Sequence, residues 1–361
     1  MEQKRKALNR LCVFIVIELA IVALTVWVFD PFYQYHEPFW GMKAVLNDRD
    51  NQMAGSVRNF SYDSVLMGSS VAENFDSSFL DENYDCKTLK LIKSSGSVAD
   101  LLYYLDMAQR EHELKNVFWC LDIPSINSSP VPTLYNDDIP RYLHTKTVLD
   151  DAPYLFNKEI LFIKIPYMLA AARQNINTDG NAYNWARDKE FSAVRAMQAY
   201  DRPAKRLPEQ DFSGDKEDIE QSVALIEEQI ENHPEIQYRF MIPPFSMLWW
   251  DCAYTNGTLE KNFYILEQTI PRLLVYDNVE VYFFQNEENI ICDLDNYMDM
   301  LHYSPEINQY MLEQLCEGNR RVTKENWSET VSDLRRLVQK ITEVEIYDSY
   351  NTFHIGTNMV K

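Results

Sequence analysis

Residues 11–29 (LCVFIVIELAIVALTVWVF) form one apolar run interrupted only by Glu18 and Thr25. At about 1.5 Å rise per residue it covers roughly 28 Å, close to the hydrocarbon thickness of a bilayer. Lys4, Arg5, Lys6 and Arg10 precede it, and Trp27 and Phe29 close it where interfacial aromatics belong. The pattern predicts a cytoplasmic tail at 1–10, a transmembrane anchor at 11–29, and everything after Asp30 outside the membrane. Glu18 is the exception, because a carboxylate at mid-membrane costs a few kcal/mol. The alternatives are a cleaved signal peptide and a buried soluble helix. The run is longer than a usual signal core, and no small-x-small cleavage site stands before Asp30-Pro31. A buried soluble helix rarely opens with four cations and no polar stripe.

Beyond the anchor the pattern changes. Residues 30–60 mix aromatics with turn residues and read as a juxtamembrane segment. Five compact runs rich in β-branched and aromatic residues then predict strands: Tyr62–Met67, Thr88–Ile92, Asn116–Leu121, Ile236–Ile242 and Val279–Phe284. Helical patterns lie between them at Val98–Arg110, Lys216–Asn232 and Leu259–Leu274. Strand alternating with helix predicts an α/β fold, a five-stranded parallel sheet covered on both faces in a three-layer sandwich. This domain spans 61–320. Its long insertion, 124–215, holds an apolar helical piece at Lys158–Ala172, and connections of that length tend to carry binding function. Ser304-Pro305-Glu306 opens a further helix, with Ser as N-cap and Pro at the first helical position. Another helical pattern at Ser328–Ile341 places a C-terminal helix and tail in 321–361.

Composition narrows the function classes. The chain has 361 residues, 46% of them apolar, so a sizeable core can be buried. Its 34 basic and 55 acidic side chains give a net charge of -21, which argues against a nucleic-acid binder, since phosphates require a basic footprint. The five cysteines outside the anchor (Cys86, Cys120, Cys252, Cys292 and Cys316) show no C-x-x-C pair. That is neither a zinc pattern nor a dense disulfide framework, though one or two bridges fit an extracytoplasmic domain.

The chemistry gathers at two places. The first strand runs into Gly68-Ser69-Ser70 and then VAENF, read as a helix start. A serine there sits at the carboxyl edge of the sheet, where open α/β folds bind ligands, and near a helix N-terminus, which favours developing negative charge. Taken alone, Gly-Ser-Ser is also an ordinary turn with an N-cap. A serine is a poor nucleophile until a base takes its proton. Of the six histidines, His302 follows the last strand, in DLDNYMDMLHYSP (293–305). Asp299 precedes it by three, so one helical turn would put both on one face and let the carboxylate orient the imidazole. A metal site of Asp293, Asp295, Asp299 and His302 is the weaker alternative, because the segment lacks the Gly and terminal Glu of an EF-hand loop.

Together these blocks resemble the SGNH/GDSL hydrolase superfamily: Gly68-Ser69-Ser70 after the first strand, Gly96 after the second, and Asp299-x-x-His302 after the last. The anchor, the DPFYQYHEP that follows it, MIPPFSMLWW at 241–250 and the run from Asp293 to Asn308 more narrowly resemble membrane-anchored, DltD-like members of bacterial cell envelopes. The resemblance implies a flavodoxin-like sheet and a triad of Ser70 nucleophile, His302 base and Asp299 orienter. It also implies an oxyanion hole from the Ser70 and Gly96 N–H groups. Two blocks depart from the superfamily pattern. Gly-Asp-Ser becomes Gly-Ser-Ser, which makes Ser69 a lining residue. Gly-x-Asn-Asp becomes Leu121-Asp122-Ile123-Pro124, so Asp122 or Asn127 would have to stand in for the oxyanion Asn, and an ionised Asp donates no hydrogen bond.

The implied function is a serine esterase or O-acyltransferase working without a cofactor or metal on acyl esters of an envelope polysaccharide or teichoic-acid-like acceptor. A membrane acyltransferase would be its partner. The rival from another class is a non-catalytic SGNH-fold subunit that assembles with such an acyltransferase.

Overall fold

The computed structural model describes residues 2–134, 139–203 and 205–343. The chain divides into two compact units, Met1–Ser61 with Tyr135–Tyr183, and Tyr62–Leu134 with Asn184–Lys361.

The second unit is built on one sheet. Its strands are β1 (Ser64–Gly68), β2 (Thr88–Ile92), β3 (Asn116–Cys120), β4 (Gln237–Ile242), β5 (Val279–Phe283) and β6 (Arg321–Val322), in the order β2-β1-β3-β4-β5-β6. The first five are parallel, and β6 runs antiparallel against β5. The five expected strands thus gain a sixth, from a segment whose two paired residues are too few to leave a periodic signature. β1 and β3 are buried along their whole length, as strands covered on both faces must be. The helices Val98–Glu111, Lys216–Asn232 and Leu259–Leu273 pack side by side in that order, and Ser77–Tyr84 packs with Pro305–Glu317. Because β1 lies between β2 and β3, the chain reverses its direction of travel across the sheet at the β1/β3 pair. That point is where open α/β sheets leave a crevice.

The first unit contains one helix long and apolar enough to span a membrane, Glu2–Phe29. Residues 30–60, read from the sequence as a juxtamembrane segment, are folded. Asp30 ends the helix with φ +41°. Its carboxylate accepts from the Tyr154 hydroxyl at 2.7 Å and from the N–H groups of Gln34, Tyr35 and His36. Residues 49–59 form a helix whose Met53, Ala54 and Val57 are buried. A core of Val26, Phe32, Leu143, Tyr154, Ile160 and Ile165 joins the two chain segments of this unit. The expected insertion 124–215 is therefore divided, part of it completing this unit and part belonging to the sheet unit. All six cysteines are free, so the bridges considered from the sequence do not form.

Candidate active site

β1 ends on Gly68. A Cβ there would stand 2.8 Å from the Ala72 Cβ and from the Cys120 carbonyl oxygen, so glycine lets β1, β3 and the following turn close together. Ser70 then opens a single 3₁₀ turn, Ser70–Ala72, rather than the helix read into VAENF. The α-helix begins only at Ser77, capped by Asp76. Small polar residues and Asn74-Phe75-Asp76 favour a turn over helix propagation at this point. The Ser70 hydroxyl therefore gains nothing from a helix N-terminus, and its activation falls to side chains.

Those side chains come from a closed loop, not from the helical turn that the Asp-x-x-His spacing suggested. Tyr297 and Tyr303, both buried, pair as an isolated antiparallel bridge. The Met298 N–H donates to the His302 carbonyl at 3.0 Å, and the Ser304 N–H donates to the Asn296 carbonyl at 2.8 Å. The Ser246 hydroxyl, just past β4, donates to the Met300 carbonyl at 3.0 Å and ties the loop to the sheet edge.

Within that loop His302 Nδ1 lies 2.7 Å from Asp299 Oδ2, and His302 Nε2 lies 2.8 Å from Ser70 Oγ. A ring nitrogen facing a carboxylate carries the proton, so Nδ1–H donates to Asp299 and Nε2 is left to accept from Ser70. The other Asp299 oxygen accepts from the N–H groups of Leu301 and His302, each at 2.8 Å. Burial works to raise the Asp299 pKa, but its bonds with His302 and these two N–H groups outweigh it and hold the carboxyl below its usual range. No family model and no curated protein matches this chain. The reading of the site rests on its geometry.

A cleft of about 140 Å³ opens at Ser70, lined among others by Ser69, Gly96, Asp122, Phe245 and Leu301. It lies at the β1/β3 crevice and is bounded by the residues that follow β1, β2, β3, β4 and β5.

Two expected roles change here. Gly96 lines the cleft, but its N–H donates to the Lys93 carbonyl at 2.9 Å, closing a turn in which Ser95 has φ +53°. It is spent on the backbone rather than offered to an oxyanion. A Cβ on Gly96 would come within 2.7–2.8 Å of Lys93 atoms, so glycine is needed for the turn. Asn127 follows the short helix Ile123–Ile126, is exposed, and borders a separate pocket with Trp249 and Lys261. It does not line the Ser70 cleft.

Asp122 does line it, 2% exposed. One of its oxygens accepts from the Ser125 N–H at 2.8 Å, and the other lies 2.5 Å from the Ser69 hydroxyl. Burial raises its pKa, against the lowering pull of Ser69, Ser125 and His302. The Ser70 N–H has no partner among the described residues.

Sequence reasoning missed Trp185. Its indole N–H donates to the Ser70 carbonyl at 3.1 Å, and its ring stands edge-on to the His302 ring at 5.2 Å. Its only signal was a large aromatic in a polar segment. Among the described residues no group of three or more metal-binding side chains gathers. Asp293 accepts from the Asp295 N–H and Asp295 accepts from the Ala193 N–H, so both are engaged in local structure.

Proposed function

We propose that this chain is a membrane-anchored serine esterase or O-acyltransferase, with its sheet unit outside the membrane and residues 1–10 in the cytoplasm. The observation that carries the reading is the continuous line from Ser70 Oγ through His302 to Asp299, at 2.8 and 2.7 Å. The parallel order β2-β1-β3-β4-β5, that of flavodoxin-like sheets, and the resemblance of the three blocks to SGNH/GDSL and DltD-like proteins support it.

In this mechanism His302 Nε2 takes the Ser70 proton as Oγ attacks the ester carbonyl carbon. The Ser70 N–H faces the oxygen that becomes negative. Asp299 stabilises the imidazolium. The carbonyl re-forms, the C–O bond to the alcohol breaks, and His302 returns the proton to the departing oxygen. Water or a polymer hydroxyl then attacks the acyl-Ser70, again giving its proton to His302, and Ser70 leaves with that proton. A cleft near 140 Å³ is of the size that holds one small ring, so the acyl group is short. The acceptor is an envelope polysaccharide or teichoic-acid-like polymer, and the partner is a membrane acyltransferase.

A second reading, a non-catalytic assembly subunit of such a system, is favoured by the engaged Gly96 N–H. A fluorophosphonate probe separates the two. Labelling of the wild-type chain that is lost in Ser70→Ala supports the enzyme. Absence of labelling, together with full restoration of envelope acylation by Ser70→Ala in cells, overturns it.

A further inference from the structure

We propose that the segment Ile160–Gln174 lies in the plane of the outer membrane interface, as a second attachment beside the N-terminal span. This rests on the reading of Glu2–Phe29 as a membrane span. The segment is a π-helical stretch, Ile160–Lys164, continued by the helix Ile165–Gln174. From Ile160 to Ala172 its only charged side chain is Lys164. That ammonium is turned to Asp48, which accepts from it at 2.7 Å.

Both faces of the segment are apolar. Ile160, Ile165, Met168 and Ala171 are buried within the first unit. Phe162, Ile163, Pro166, Tyr167, Leu169 and Ala170 are exposed, Phe162 by 72%. Their spacing is helical, so they form one continuous stripe. A helix apolar all round is normally covered all round, and an uncovered apolar stripe marks an interaction surface.

The occupant follows from where the stripe begins. Its π-helical start packs against the N-terminal helix and shares a core with Val26 and Phe29 at the end of that helix. At this same exit Trp27, His36, Phe39 and Trp40 form a chain of ring contacts 3.8–6.0 Å apart, and Trp40 is 78% exposed. Tryptophan and tyrosine collect at the headgroup level. The stripe thus starts where the spanning helix leaves hydrocarbon, and its one charge, the exposed Arg173 at the far end, has a stem long enough to keep its guanidinium among the headgroups.

The test uses the full chain in phosphatidylglycerol–phosphatidylcholine vesicles, with a photo-crosslinking phenylalanine analogue placed singly at Phe162, Tyr167, Ile15 or Gln221. Ile15 reports the span, and Gln221 is an exposed position on the helix Lys216–Asn232 of the sheet unit. Lipid adducts at Phe162, Tyr167 and Ile15, with none at Gln221, are expected. Adducts at Ile15 but none at Phe162 and Tyr167 overturn the in-plane attachment and leave the span standing. Protein–protein adducts at Phe162 in place of lipid adducts also overturn it, by showing that a polypeptide covers the stripe. No lipid adduct at Ile15 removes the span and this inference with it.

Discussion

Two carboxylates influence one imidazole, and their surroundings drive them apart. Asp299 is held low by its bonds with His302 and Leu301, whereas burial outweighs the hydrogen bonds of the more deeply buried Asp122 and raises it. Pairs separated in this way mark different duties. Asp299→Asn leaves the loop in place but removes the group that fixes the Nδ1 proton. It is expected to lower kcat by on the order of 10³–10⁴ while the melting temperature falls little, which kinetics and calorimetry will read side by side. Asp122→Asn keeps the shape and removes the titration. In the proposed mechanism ionised Asp122 sets a negative charge beside the developing oxyanion, so turnover by the wild-type chain should decline as pH rises through the raised Asp122 pKa, and the Asn variant should lose that decline. Stability has the same sign. Folding favours the protonated acid, so ionisation costs stability as pH rises above 3.8, the ordinary aspartate value above which Asp122 is raised. The gain in melting temperature of Asp122→Asn over wild type should be larger at pH 7 than at pH 4. For Asp299 the order is reversed: its contribution is complete above 3.8 and is lost as pH falls through its lowered pKa.

At the scale of the element, β2 contains a fully buried lysine. Lys90 donates to the Glu73 carbonyl at 3.0 Å, and burial pushes its pKa down to about 7. Between that value and 10.5, the ordinary value for lysine, the unfolded chain binds more protons than the folded one, so stability rises with pH. Lys90→Met should raise the melting temperature at pH 7 by on the order of several degrees, with the gain shrinking toward pH 10. Such a lysine also shows why elements were legible when single contacts were not. Lys90 did not hide its strand, because Leu89, Leu91 and Ile92 around it still form an apolar run. All five parallel strands were found within about two residues for this reason. The reach of Ser70 to His302 was legible too, since β-strand carboxyl ends bring such blocks to one edge. The engaged Gly96 N–H was not, because a turn decides it rather than a residue type. The folding of 30–60 was not, because Tyr154, the partner of Asp30, is remote in sequence. Trp185 belongs to no periodic pattern.

For the whole molecule, the absence of any bridge among six cysteines is the most direct handle on stability. Dithiothreitol should leave the melting curve of the full chain in detergent unchanged. A downward shift would reveal a cross-link that the free thiols do not predict. The net charge of -21 acts at longer range, repelling polyanions at low salt and less so as salt screens it. A polyanionic acceptor should therefore be acylated faster as ionic strength rises, in initial-rate measurements with a neutral acceptor as control.

The unit that holds the long apolar helix Glu2–Phe29 is assembled from two stretches of chain, with the first three strands of the sheet lying between them in sequence. A nascent polypeptide leaving the ribosome thus delivers Asp30 and Phe32 well before Tyr154 and Leu143. Until the later stretch emerges, that carboxylate and that ring lack their partners. The piece made first is completed only after the residues of the first three strands have been made, so a chain stalled at residue 134 would present an incomplete unit to proteases.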